Sequence, residues 1–170
     1  MLIEGLKAPQ EINHQRPWIR FFARWTDMAV FQFFLLMLNI EFSFVVYISI
    51  YGWIFIEAIL LSVWGTTLGK WLLGTTVRDI RGNKLTYQSA LARSFEVLLK
   101  GLALGIPIVH FITLIISYNQ LTGNWGKTSW DLNGGYQVKH KKINPLGAIV
   151  VIIIVSCWIL FPLYTFFAHN

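Results

Sequence analysis

The stretch 18–40 is apolar enough to be a membrane helix, yet it opens with Arg20, Arg24 and Asp27. Spacings of four and three residues put all three on one helical face, while Phe21, Phe22, Ala23 and Trp25 fill the positions between them. Trp18 suits the lipid–water boundary. Counting from it at about 1.5 Å per residue, Asp27 lies roughly 13 Å along the helix. A carboxylate at that depth is costly unless it faces protein or water and finds a partner. The remainder of the chain has to supply those partners.

Composition sets the solvent. Hydrophobic residues make up 55% of the 170 and charged residues 13%, against about a quarter charged in soluble domains. This is the profile of a membrane protein with room for one small helical bundle. The single cysteine, Cys157, sits in an apolar run, so no intrachain disulfide forms and a buried filler role is expected. Residues 1–17 form a polar arm with Pro9 and Pro17 and show no signal-peptide pattern, which leaves the first span as its own uncleaved insertion signal. A net charge of +6 invites a nucleic-acid reading, but no nucleic-acid module is visible and the basic residues flank apolar helices. Their meaning is topology.

Three full spans are expected, at 18–40, at 45–64 and in a C-terminal transmembrane helix within 145–170. Lys7, Arg16, Arg20 and Arg24 lie at the start of the first, the turn near 41–44 has no Lys or Arg, and six follow the second from Lys70 to Lys100. The positive-inside bias then puts the N-terminus in the cytoplasm, the first two spans in an outward hairpin across the cell (inner) membrane, and the C-terminus outside. The loop 65–86 is too polar and too rich in Gly and Thr to span. Its β-branched stretch 75–80 runs into Arg81-Gly-Asn-Lys84, which predicts a small cytoplasmic hairpin, and Thr86 predicts a helix cap.

Residues 87–121 read as a broken helical segment. Ser89, Arg93, Glu96 and Lys100 share a stripe, which predicts an amphipathic helix at the interface or beside a polar cavity, and Gly101, Gly105 and Pro107 then break or kink the helix. If the segment re-enters, all 14 Lys and Arg stay on one side; if it crosses once as a kinked span, Lys127, Lys139, Lys141 and Lys142 go outside. The charge bias favours re-entry. The loop 122–144 holds a strand-like stretch, Gly126 to Asp131 and Tyr136 to His140, that faintly echoes Gly69-Lys70 followed by Thr76-Val77, and two strand-like pieces on one side are able to pair. The fold class is therefore an all-α integral membrane protein: a small helical bundle with three full spans, one broken or re-entrant helical segment and short cytoplasmic β-like loops.

Several chemistries drop out. Both Gly-Lys pairs fail the phosphate-loop pattern, because Lys70 precedes Trp71 and position 121, ahead of Gly126-Lys127, is Leu. His14, His110, His140 and His169 fall in four separate segments, so no metal site is expected. No cofactor motif or nucleophile–base pair is visible, and no enzyme is expected. His110, Thr113 and Ser117 form a secondary polar stripe that either lines a water path or reduces to a histidine bonded to backbone. Glu57 is more telling. It lies roughly 12 Å from the cytoplasmic end of the second span at the usual helical rise, level with Asp27. Two readings stay open: the carboxylates hold a proton or monovalent cation beside Arg24, or an Arg24–Asp27 or Arg24–Glu57 bridge locks the helices.

Ala23-Arg24-Trp-Thr-Asp27, Thr67-Leu-Gly69-Lys70-Trp-Leu-Leu-Gly74, Val77-Arg-Asp79-Ile-Arg-Gly82, Ala92-Arg93, and Trp130-Asp131 with Gly135 and Val138 together resemble the RDD family of small membrane proteins over about residues 15–142. The resemblance maps the namesake residues to Arg24, Asp27 and Asp131, and puts Asp79 and Arg93 on further motifs. Trp130 stands where the family usually has His, which removes a proton carrier from that position. The resemblance implies a helical domain with a cytoplasmic polar cluster, some members being associated with sodium/proton exchange or transport and others with membrane complexes as accessory parts. The expected ionic cluster comprises Arg20, Arg24, Asp27, Glu57, Asp79, Arg93 and Asp131, with Asp131 pairing with Arg24 or Arg93. Lys70 is expected at phospholipid headgroups or in solvent. Cation or small-solute transport and a non-catalytic accessory role are the two functions in view, and so small a bundle is expected to work as a homo-oligomer or within a larger membrane complex. One labelling experiment tests the topology. With Cys157 replaced, thiols introduced by Asn83→Cys and Asn133→Cys should both resist an impermeant maleimide in intact cells and react after permeabilisation; reaction at 133 from outside would establish the single kinked span.

Overall fold

A computed structural model describes residues 16–101, 107–123 and 126–168. Its described residues form seven helices and two strands, mostly helical as expected. Helix α1 (Pro17–Met37) begins on a proline, whose missing N–H is no loss in a first turn. It stops at Asn39, which takes the left-handed conformation at φ 56°. The turn therefore falls earlier than the predicted 41–44, and α2 (Phe42–Val63) starts ahead of the expected position 45. Among the described residues, Phe44–Val63 is the stretch long and apolar enough to cross a membrane, with a mean hydropathy of 2.1. Gly65 then ends α2 at φ 71°, its N–H reaching back to the Leu60 carbonyl, a geometry that glycine adopts without strain.

The segment 65–86 is not plain loop. It folds into α3 (Leu68–Leu72) and strand β1 (Thr75–Arg78). The predicted local hairpin does not form. The Asp79 N–H does donate to the Asn83 carbonyl at 3.0 Å, closing the turn, but β1 pairs antiparallel with β2 (Gln137–His140), with Thr75 opposite His140 and Val77 opposite Val138. Burial explains the choice. Val77 and Val138 sit with Tyr136 and Leu85 in one apolar cluster against Ala58 and Leu61 of α2, whereas a local return strand would bring Lys84, whose Nζ instead donates to the Val63 carbonyl.

Helix α4 (Tyr87–Lys100) starts at Thr86, whose hydroxyl accepts from the Ser89 N–H at 3.3 Å. Of its predicted stripe only Arg93 is buried; Ser89 and Glu96 are half-buried and Lys100 is exposed. Arg93 is buried beside Ala90, Ser94 and Val97, while Phe95 and Leu99 are exposed; an outward apolar face fits lipid rather than water. Helix α5 (Pro107–Thr122) comes next, and Gly105 of the predicted break lies outside the described residues. The strand-like reading of Gly126 to Asp131 is also corrected: Ser129–Asn133 is a short helix, α6. Thr128 and Asp131 have the spacing that opens a helix, with the Asp131 N–H on the Thr128 carbonyl at 3.0 Å.

Helix α7 (Pro145–Ala168) closes the chain, and its Pro145–Phe161 part is a shorter apolar helix. It packs on α1 and α3 through Val151, Ala23 and Leu73. Backbones approach closely here. A Cβ on Gly69 would run into the Ala23 carbonyl, and one on Gly147 into that of Leu72, so at these two points the backbones of α1, α3 and α7 meet directly. Farther along the bundle, Gln32 of α1 donates to Ser49 of α2 at 2.9 Å and accepts from the Trp158 indole of α7. Cys157, expected as a buried filler, is exposed on α7 instead.

Candidate functional site

Three carboxylates are buried within the helices: Asp27, Glu57 and Asp131, each about 1% exposed. Their partners come from elements far apart in sequence. Glu57 accepts from Arg24 at 3.0 and 3.3 Å and from the Lys70 ammonium at 2.6 Å, with Arg93 Nη1 3.8 Å from the same Oε1. Asp131 accepts from Arg93 at 2.9 and 3.1 Å, from the Thr128 hydroxyl at 2.9 Å, and from Arg20. Arg93 therefore bridges two carboxylates, one on α2 and one on α6. The expected Asp131–Arg24 pairing is not made, because Arg24 is taken by Glu57.

Asp27 is satisfied differently. Its Oδ2 accepts from the Thr67 hydroxyl at 2.5 Å and its Oδ1 from the Gly69 N–H at 2.6 Å. Thr67 stands at the N-cap position of α3 without capping it, so a carboxylate from α1 does the capping from outside. Orphan donors of a first helical turn suit an anion. The Arg24–Asp27 bridge is accordingly absent: the short α3 reaches Asp27, and Glu57 draws Arg24 away.

Lys70 is the main revision. Expected at headgroups or in solvent, it is 7% exposed and donates to Glu57. Burial pushes its ammonium below the usual lysine range, against the opposing pull of Glu57 and Asp27. Burial would likewise push the Asp131 carboxyl up, but Arg20 and Arg93 outweigh it and hold it at about 2. Asp79, expected in the cluster, lies in the β1–α4 turn, where its Oδ1 accepts from the Asn83 N–H at 2.7 Å. An Asx turn accounts for it. In the secondary stripe, Thr113 donates to the Gly101 carbonyl at 2.9 Å and Ser117 to that of Thr113 at 2.7 Å. The His110 side chain lies outside the described residues.

Beside the cluster opens a cavity of about 490 Å³. Its walls are largely apolar, from Phe21 and Trp25 of α1, Val97 of α4, and Leu114 and Ile115 of α5. Its charged lining consists of Arg20, Arg24, Lys70 and Arg93, and none of the three carboxylates reaches it. Thr67, Lys70 and Thr128 are cluster residues that sequence reasoning does not assign. The Thr128–Asp131 spacing is a usable signal for a helix start; nothing in the sequence alone marks Lys70 as buried.

Buried charges paired across helices, backed by an apolar hairpin, define a small helical membrane protein. The chain matches the RDD family over residues 15–135, and it belongs to that family of small membrane proteins. No curated protein and no solved structure shows significant similarity to it.

Two measurements probe the cluster. Glu57→Gln leaves Arg24, Lys70 and Arg93 facing a neutral amide and should cost about 3–5 kcal/mol, as removal of one partner from a buried pair does. Adding Lys70→Met should return part of that loss in melting experiments in detergent. The second is acid titration. A carboxyl held at about 2, below its ordinary 3.8, contributes stability that is fully present above pH 3.8 and lost as pH falls through 2. Hydrogen exchange at α6 should accelerate across that window, and Asp131→Asn should remove the step.

Proposed function

We propose that this RDD-family protein is a multi-pass, non-enzymatic component of the inner membrane whose ionic cluster is a structural lock. In this reading α1, α2 and α7 are full spans, the N-terminus is cytoplasmic and the C-terminus is outside. The β1–β2 pairing supports re-entry of the α4–α5 segment: strands hydrogen-bonded to each other lie on one side of the membrane, so the chain between them crosses an even number of times. The Lys and Arg distribution favours the same arrangement.

One observation carries the lock. Each buried carboxylate already accepts from two or more donors, and four cationic side chains surround the three anions. A metal cation entering this layer would meet net positive charge and carboxylate oxygens already in use. That favours an accessory or assembly role, as a homo-oligomer or in a larger complex, over a cation pathway.

A second reading rests on Asp27. Its two hydrogen bonds come from neutral donors, a hydroxyl and a backbone N–H, so of the three carboxylates it is the one suited to exchanging a proton or sodium ion. Flux in proteoliposomes separates the two. Under the lock, the wild-type protein should move sodium ions and protons no faster than empty liposomes, and Asp27→Asn should lower the melting temperature. Sodium or proton flux in the wild type, abolished by an Asp27→Asn protein that stays folded, would establish the exchange reading instead.

A further inference from the structure

The cavity beside the cluster combines features the lock does not need. Four cationic side chains line it while the carboxylates that pair them point away. Among the described residues, four cations face three anions in this layer. Arg93 is 3% exposed, and its Nη1 is buried with no hydrogen-bond acceptor, 3.8 Å from Glu57 Oε1. A recess lined by four cationic side chains and no carboxylate favours one further anion.

The remaining walls say what that anion is attached to. Phe21, Leu114 and Ile115 make much of the rest of the wall apolar, with only a few hydroxyls and an indole beside them, which suits an acyl chain better than a hydrated inorganic ion. Trp18 and Tyr118 also line the cavity, are exposed, and hold their rings 6.1 Å apart; amphipathic rings of this kind belong at headgroup level. We infer that the cavity binds an anionic phospholipid, its phosphate among Arg24, Lys70 and Arg93 and the upper part of one acyl chain against α1 and α5. The headgroup phosphate offsets the excess of positive charge along this wall. The apolar walls cover the chain, and the volume of about 490 Å³ is in the range of small-molecule sites. A zwitterionic lipid offers the phosphate but brings an ammonium into a recess that already holds four cations. This inference concerns the cavity alone and stands whether the cluster proves a lock or an exchange site.

Native mass spectrometry of the detergent-solubilised protein tests it. Phosphatidylglycerol should bind at least about tenfold more tightly than phosphatidylcholine, a ratio that one charge-assisted hydrogen bond sustains. Leu114→Trp fills the apolar end without touching a charge and should abolish the preference while leaving the melting temperature in phosphatidylcholine unchanged. Should that variant fail to fold, Ser117→Leu serves in its place, and the wild-type comparison needs no variant. Equal binding of the two lipids would overturn the inference. So would a phosphatidylglycerol preference that survives a filled cavity, or stabilisation by inorganic phosphate equal to that by phosphatidylglycerol, which would mark a site for a free anion.

Discussion

Arg93 joins the elements that the ionic cluster holds together. One guanidinium meets Asp131 of α6 through two hydrogen bonds and stands 3.8 Å from Glu57 of α2. Its planar fork permits this in a way that an ammonium would not. Because Glu57 also takes Arg24 and Lys70, and Asp131 also takes Arg20, the bridge joins α1, α2, α3, α4 and α6 in one network. Removing ions from water costs several kcal/mol each, so such a network adds little net stability over well-packed apolar residues. What it supplies is uniqueness. Apolar helices slide and rotate against one another cheaply in lipid, and a set of charges that can be satisfied in only one arrangement fixes both.

The neutral contacts depend on that placement. With α3 drawn to Glu57 through Lys70 and to Asp27 through its first turn, its backbone lies against Ala23 and Gly147, where side chains would not fit. The strand pair then lies over α2, its Val77 and Val138 completing the apolar cluster with Ala58 and Leu61. Gln32, Ser49 and Trp158 repeat the principle with uncharged groups farther along α1. Polar side chains in this protein locate helices; apolar ones fill the space between them.

Much of this is legible from residue spacing. Helical periodicity puts Arg20, Arg24 and Asp27 on one face, depth matching pairs the layer with Glu57, and Thr86 marks the start of α4. The features that spacing misses share a cause, which is that long-range partners override local propensity. Thr76-Val77-Arg78 has strand character, but its partner lies some sixty residues away and is chosen by burial. Lys70 looks solvated until Glu57 approaches from another helix. Thr128 to Asp131 looks β-branched and aromatic, and becomes a helix because Asp131 is pulled toward Arg93 and Arg20. Asp79 joins the ionic residues through a family motif alone; its turn geometry needs no ion.

The external cap that Asp27 places on α3 has a consequence for biosynthesis. Thr67 and Gly69 lie 40 and 42 residues downstream of the carboxylate they satisfy. A ribosome therefore completes the first helix well before it makes the groups that hydrogen-bond its buried carboxylate. During that interval full burial carries an uncompensated desolvation cost, and the helix settles only when α2 has turned back and brought the next segment alongside. The packing of α1 is thus completed only once the segment after α2 has been made, and a chain truncated before residue 67 would leave Asp27 without either hydrogen-bond donor.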